Sequence, residues 1–185
     1  MSRVNFINLE NETLEGNVLD IGFNNYGIAY SLFKNNSDEI SVDYLEGKME
    51  KNKIEKNYYD SCIIFFSLSC FCRNYYKNKL LREISENLKA TGSLYIWDTD
   101  KPLGKIFVSK LKIILPGKIS KDISIQNYKF FIDASYKKTK KLIEKYFEII
   151  DYKYSDNIYC IKASSKKKTS LKREKEKNEN IVGSS

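Results

Sequence analysis

The chain has 185 residues, of which 42% are hydrophobic, and it carries four cysteines, no histidine and a formal charge of +8. This length supports one domain with a hydrophobic core and is short for two. The absence of histidine excludes Ser-His-Asp and Cys-His hydrolase sites. The chain also lacks a C-x₂-C pair, so its cysteines do not indicate a metal site. No apolar run is long enough to cross a membrane and no signal-peptide pattern begins the chain, so a cytoplasmic location is expected.

The positive charge is concentrated at the C-terminus. Residues 164–185 hold seven Lys or Arg and three Glu, so they supply +4 of the net charge. This aromatic-free stretch predicts a charged, disordered tail after a single domain over residues 1–163. A basic tail makes an RNA-associated protein an alternative function, but the mildly basic remainder makes nucleic acid a possible partner that is not favoured.

The first predicted elements form a strand–helix–strand unit. An apolar run over residues 17–22 stops at Gly22 and predicts a buried strand, followed by a loop over 23–27. A helix is predicted over 28–33, and a second strand over 39–45 that ends near Asp43. This order is typical of a parallel sheet. Residues 47–57 are polar and lysine-rich, which fits either a short helix or a loop.

The middle of the chain predicts a further parallel unit. Residues 62–66 are apolar on both faces of a strand, as in a sheet that is covered on both sides. A helix follows, with Leu80, Leu81, Ile84 and Leu88 on one stripe, and Gly92 is predicted to end it. Residues 93–97 then predict another buried strand.

The pattern changes after Pro102. Two short strands with a turn at Pro116 and Gly117 predict an inserted hairpin or cap over about residues 103–131. A helix over about 135–147 and two strands, over 149–154 and 158–161, complete the predicted fold. We therefore predict an α/β, doubly wound, Rossmann-like and mostly parallel sheet with a C-terminal antiparallel hairpin.

The loop after the first strand is the best candidate for a cofactor site. Gly22 and Gly27 have the spacing of a phosphate-binding P-loop, but Ile28 and Ala29 stand where that loop needs Lys and Ser or Thr. Asn24 replaces the middle glycine of a dinucleotide loop, at which the backbone meets pyrophosphate. A ligand without pyrophosphate, such as S-adenosylmethionine, relaxes the need for that glycine.

The acid in the second predicted strand fits the same ligand. Asp43 lies 21 residues after Gly22, where a carboxylate at the sheet edge can accept hydrogen bonds from both ribose hydroxyls. The alternative interpretation is a solvated strand end.

Several runs together resemble one family. They are VLDIG over 18–22, VD at 42–43, YD at 59–60, LREI at 81–84 and GSLYI over 92–96. They resemble the class I S-adenosylmethionine-dependent methyltransferases, in particular small uncharacterised methyltransferase-like proteins of clostridia. The resemblance covers about residues 16–100, and residues 135–162 by topology only. It implies that the first run surrounds the methionine part of the cofactor and that the acid after the second strand binds ribose.

The sequence also departs from that family. Asn24 and Tyr26 occupy the later glycine positions of the family loop D/E-x-G-x-G-x-G, and only 16 residues separate Asp43 from Asp60, so the third-strand region is shortened. These departures leave open a catalytically degenerate protein that binds its ligand without turning it over.

The resulting prediction is a methyltransferase acting on a small-molecule or unidentified acceptor. Asp98 is the candidate proton acceptor or substrate anchor, although residues 98–100 also fit a polar turn before Pro102. The predicted cofactor-binding residues lie in the loop, in the second strand and at the end of the strand over 62–66: Asp20, Gly22, Asn24, Tyr26, Gly27, Asp43, Phe65 and Phe66.

Overall fold

The computed structural model describes residues 4–14, 16–24, 26–33, 42–46 and 55–166. Within these ranges the chain alternates strands and helices, with a short 3₁₀ turn at Leu68–Cys70. The helices are α1 (Ile28–Phe33), α2 (Asn74–Asn87) and α3 (Tyr136–Ile143). The strands are β1 (Val4–Asn8), β2 (Val18–Gly22), β3 (Val42–Glu46), β4 (Tyr59–Phe65), β5 (Leu88–Thr99), β6 (Phe107–Leu115), β7 (Ile119–Asn127), β8 (Phe147–Ser155) and β9 (Ile158–Ser165).

The strands form two sheets. The larger sheet has the order β3-β2-β4-β5-β9-β8, in which β2 to β5 are parallel and β9 runs antiparallel to both of its neighbours. The smaller sheet has the order β1-β6-β7, with β1 parallel to β6 and β7 antiparallel to it. The predicted α/β class and the terminal antiparallel hairpin are confirmed, while the second, mixed sheet was not predicted.

Alternating side chains divide the core into two layers on either side of the large sheet. In β4, Cys62 and Ile64 pack with buried residues of α2 and α3. Ile63 and Phe65 point the other way and pack with α1 and the inner face of the small sheet. Helices therefore cover one face of the large sheet, and α1 together with the small sheet covers the other.

Several predicted boundaries are wrong. The last helix, predicted to run to about Phe147, ends at Ile143, and β8 begins at Phe147. Gly92 was expected to end the helix, but α2 ends at Asn87 and β5 begins at Leu88, so Gly92 lies within the strand. The C-terminal tail was expected to begin at Ser164, but β9 continues to Ser165 because residues 164 and 165 pair with β5 and β8. Residues 167–185, the rest of the predicted tail, lie outside the described residues.

The insertion is more than a hairpin. β6 and β7 pair as predicted around Pro116 and Gly117, but β6 also pairs along its other edge with β1, a strand that the sequence pattern did not reveal. Between β3 and β4, residues 55–58 hold no strand, and residues 47–54 lie outside the described part, so the prediction of a shortened third-strand region stays a prediction. Among the described residues, no helix is long and apolar enough to cross a membrane.

Candidate functional site

The candidate site lies at the carboxyl edge of the parallel strands. β2, β4 and β5 end there in neighbouring positions, and their ends carry Asp20 to Gly22, Phe65 and Asp98. Open α/β sheets bind ligands outside the carboxyl ends of their strands. The topology therefore brings together most of the residues that the sequence predicted.

Asp20 is a buried carboxylate near the end of β2. It is 8% exposed, and it lies opposite Ile63 of β4 in the strand register. Burial raises its pKa from 3.8 to about 6, and no hydrogen bond from a described residue offsets that rise. A carboxylate that loses hydration without gaining a partner is poised to accept a cation or a hydrogen-bond donor.

A single serine joins the loop after β2 to the turn after β4. The backbone N–H of Phe23 donates to Ser67 Oγ over 3.2 Å. The Ser67 hydroxyl in turn donates to the carbonyl of Phe65 over 2.9 Å. Ser67 is 1% exposed, whereas Phe23 lies at the surface, so this part-buried contact ties the loop after β2 to the turn after β4.

The rest of the loop is held by polar contacts. Asn24 Nδ2 donates to the Tyr26 hydroxyl over 3.1 Å, and the backbone of Gly27 has a φ of +62°, which favours glycine. Lys121 of β7 donates from Nζ to the carbonyl of Tyr26. The small sheet thus reaches the loop through Lys121, a contact that sequence reasoning missed because 95 residues separate the partners.

Phe65 and Phe66 form an apolar wall below the loop. Both are 4% exposed, and their rings meet edge to face with centroids 4.9 Å apart. The ring of Tyr26 packs against Phe65 at 6.1 Å, and Trp97 lies 5.8 Å from Phe65 on the other side. Phe66 has a φ of +47°, an uncommon conformation for an aromatic residue, and such strain concentrates at functional sites.

The second strand places a different acid at the sheet edge. Asp43 was expected to end this strand, but β3 continues to Glu46. Asp43 lies opposite Leu19, whereas Glu46 lies opposite Gly22 at the end of β2. Glu46 therefore occupies the end of β3, and the prediction that this strand ends near Asp43 is wrong. The prediction that Asp43 binds ribose stays a prediction.

Asp98 is enclosed rather than open to a cleft. It is fully buried, and its carboxylate accepts the backbone N–H groups of Ser69 and Thr99, each over 2.7 Å. Burial raises its pKa, against the lowering effect of these hydrogen bonds and of the Lys77 charge. In this conformation Asp98 ties the end of β5 to the 3₁₀ turn after β4, and its role as a proton acceptor stays a prediction.

The described residues contain no cluster of three or more His, Cys, Asp or Glu side chains that could hold a metal ion. The four cysteines are unpaired thiols. Burial raises the pKa of Cys62 well above its usual value, with the charge of nearby Asp20 adding to the effect, so that thiol stays protonated.

Comparison with known proteins identifies the fold. No family model and no curated protein matches the sequence. An S-adenosylmethionine-dependent methyltransferase of Methanosarcina mazei is similar in structure, with a TM-score of 0.55 and 12% identity over 85% of this chain and 96% of that one. The 1,6-didemethyltoxoflavin-N1-methyltransferase of Burkholderia thailandensis, solved with S-adenosylhomocysteine, has a TM-score of 0.54. It is 11% identical over 80% of this chain and 70% of that one.

The same fold also occurs with another activity. The cyclase SpnF has a TM-score of 0.55 and 13% identity over 83% of this chain and 76% of that one. At these identities the similarity carries fold and not chemistry. The chain therefore has the Rossmann-like α/β fold of S-adenosylmethionine-dependent methyltransferases.

Proposed function

We propose that the protein binds S-adenosylmethionine at the carboxyl edge of β2, β3 and β4 and transfers its methyl group to a small acceptor. The observation that carries this proposal is Asp20, a buried carboxylate whose pKa is about 6 and which no described residue neutralises. S-adenosylmethionine carries a sulfonium and an ammonium, so it supplies the positive charge that a desolvated carboxylate lacks.

The residues around Asp20 fit such a ligand. Phe65 and Phe66 offer an apolar wall that excludes water, and Ser67 and Lys121 hold the loop from two sides. Gly27 keeps the loop backbone open where a side chain would be strained. Once bound, the cofactor provides an activated methyl group, so the task of the protein is to position the acceptor and exclude water.

For the ribose contact, the strand register favours Glu46. Glu46 ends β3 opposite Gly22, while Asp43 lies three residues earlier in the strand. We propose Glu46 as the carboxylate that accepts the ribose hydroxyls, with Asp43, the residue that matches the family motif, as the alternative.

Calorimetric titration with S-adenosylmethionine and S-adenosylhomocysteine tests the proposal. Micromolar binding is expected for the unchanged chain, with at least about tenfold weaker binding in Asp20→Asn. Glu46→Gln should weaken binding more than Asp43→Asn does. Asp122→Asn, an exposed acid on β7, serves as the matched control. Absence of binding at millimolar cofactor would overturn the proposal.

A second experiment separates an enzyme from a binding protein. Asn24 and Tyr26, in place of the family glycines, support the alternative of a degenerate member that keeps the ligand and has lost turnover. Release of S-adenosylhomocysteine in the presence of a panel of small amines, phenols and thiols would favour the enzyme. Binding without release across the panel would favour the binding protein. A cytoplasmic location and the likeness to small clostridial proteins remain parts of this proposal.

A further inference from the structure

A patch of exposed apolar side chains lies at one end of the small sheet, in the chain segments just before β6 and just after β7. Its five members are each between 58% and 64% exposed: Leu103, Ile106, Tyr128, Phe130 and Phe131. We call these five residues the apolar patch. Single exposed apolar residues are common on protein surfaces, but several together mark a surface that meets an apolar partner.

Hydrogen bonds hold the two segments of the apolar patch side by side. The backbone N–H of Gly104 donates to the carbonyl of Phe130 over 2.7 Å. The ammonium of the buried Lys101 donates to the carbonyls of Lys105 and Lys129 over 3.3 and 2.9 Å, so it bridges the same two segments. The apolar patch is therefore one surface on a fixed support, and its exposure is a property of the fold.

The part of the chain that carries the apolar patch is strongly basic. Residues 102–132 hold six lysines and a single acid, Asp122, so their net charge is +5 in a chain of +8. Two of these lysines, Lys105 and Lys129, stand between patch residues in the sequence and are exposed. The next acid along the chain, Asp133, is already bound by Lys138 over 2.8 Å. A partner that is both apolar and negatively charged therefore complements this surface.

Two other kinds of partner fit this surface less well. A second copy of the chain would place the basic segment against itself in a two-fold contact, where like charges repel. A nucleic acid would satisfy the lysines, but its bases stack on aromatic faces, and the aliphatic Leu103 and Ile106 offer none. An anionic lipid surface offers hydrocarbon to the apolar side chains and negative headgroups to the lysines.

We propose that the apolar patch docks the protein onto the surface of an anionic phospholipid membrane. The five apolar side chains enter the headgroup region, and the neighbouring lysines lie against the lipid phosphates. The proposal goes beyond the cofactor site and does not depend on it, because no residue of the apolar patch is assigned to the cofactor. Its test is made without cofactor, so either proposal can fail alone.

Sedimentation with lipid vesicles tests the proposal. The full chain is mixed at about 0.1 M salt with vesicles of phosphatidylcholine alone, or of phosphatidylcholine with phosphatidylglycerol. Binding to the vesicles that contain phosphatidylglycerol should be at least about tenfold stronger, and it should weaken at higher salt because the charges of the lysines are then screened. Equal binding to both kinds of vesicle, or binding to neither, would overturn the proposal.

Two pairs of variants assign the contact to the apolar patch. Phe131→Ser removes an exposed ring, so binding to the anionic vesicles should weaken about tenfold through the lost apolar contact. Ile150→Ser makes a comparable change at a similarly exposed position of β8 and should leave binding unchanged. Lys105→Gln should weaken binding about fivefold through the lost charge, whereas Lys141→Gln, at an exposed position of α3, should not.

The same variants distinguish other sources of binding. Residues 167–185 are also basic, so vesicle binding that is unchanged in both Phe131→Ser and Lys105→Gln would come from another part of the chain and overturn the proposal. A dimer in analytical ultracentrifugation that Phe131→Ser converts to a monomer, without vesicle binding, would assign the apolar patch to a second copy and overturn it as well. Binding of a single-stranded oligonucleotide that Phe131→Ser weakens, again without vesicle binding, would assign the patch to nucleic acid instead.

Discussion

The backbone N–H of Phe23 and the hydroxyl oxygen of Ser67 lie 3.2 Å apart, and their hydrogen bond joins the loop after β2 to the turn after β4. The two positions are 44 residues apart in the chain. Since the proposed cofactor site lies at these strand ends, this contact helps to position the loop beside the site.

Ser67→Ala should loosen the site and destabilise the fold. The substitution leaves the Phe23 N–H without its acceptor, so the free energy of unfolding should fall by about 1–3 kcal/mol. Urea unfolding measures this change, and calorimetry should show weaker binding of S-adenosylmethionine. Ser120→Ala, at an exposed position of β7, should change stability by less than about 0.5 kcal/mol. Equal behaviour of the two variants would contradict the role of Ser67.

Asp20→Asn should stabilise the protein near neutral pH while weakening its proposed function. Burial raises the pKa of Asp20 from 3.8 to about 6, so the folded state holds this proton more tightly than the unfolded chain does. The ionised carboxylate therefore opposes folding by about 3 kcal/mol above pH 6, and this cost vanishes below about pH 4. Urea unfolding across this range should show the variant's advantage appearing as the pH rises. A difference in unfolding free energy between Asp20→Asn and the unchanged chain that does not vary with pH would contradict the burial of the ionised Asp20.

Asp133→Asn should have the opposite pH dependence. Burial alone would raise the pKa of Asp133, but hydrogen bonds from Lys138 and Ser135 outweigh it and lower the pKa from 3.8 to about 2. The ionised Asp133 therefore stabilises the fold by about 2 kcal/mol above about pH 4, and this contribution is lost as the pH falls through about 2. Urea unfolding of Asp133→Asn across the same pH range shows whether the stability difference from the unchanged chain grows as the pH rises. A greater loss of unfolding free energy at low pH than at pH 7 would contradict the stabilising role of the ionised Asp133.

Local patterns predicted the large sheet well. The apolar runs that became β2 and β4 have both faces covered in the structure, and the terminal hairpin forms around its short turn. Gly92 misled the prediction because a glycine after a helical stripe is typical of a helix end, whereas here the pairing of β5 with β4 begins at Leu88. Tertiary pairing overrode a local signal.

The parts that could not be predicted depend on contacts distant in sequence. β1 is exposed on alternate residues and short, and it is stabilised by pairing with β6 more than a hundred positions later. The position of Glu46 at the end of β3 could not be predicted, because the strand register, and not the local pattern, decides which residue lies opposite Gly22. The Lys121 contact to the loop likewise depends on how the small sheet packs.

Gly16 and Gly104 form a matched pair for a test of backbone and packing effects. Both have positive φ, of +71° and +78°. A Cβ on Gly16 would lie 2.2 Å from Asp60 Oδ2, an atom that accepts bonds from Asn17 N–H and Lys89, whereas a Cβ on Gly104 meets nothing within 4 Å. In Gly104→Ala the free energy of unfolding should therefore fall only by the cost of a positive φ, about 1–2 kcal/mol. In Gly16→Ala it should fall clearly more, because the added Cβ also meets Asp60. Thermal unfolding of both variants measures the difference, and equal losses would contradict the steric argument.

Lys101 should control the stability of the segment over residues 102–134. It is 1% exposed, and its ammonium donates to the carbonyls of Ile132, Lys129 and Lys105 over 2.6, 2.9 and 3.3 Å. Lys101→Met keeps the apolar stem and removes all three donors, so unfolding free energy should fall by at least about 2 kcal/mol. Hydrogen exchange should accelerate most within residues 102–134, including the amide of Gly104, and much less in β2 and β4. Lys105→Met, at an exposed neighbouring position, is the control. Uniform acceleration across the chain would show that Lys101 acts on global stability and does not hold this segment in particular.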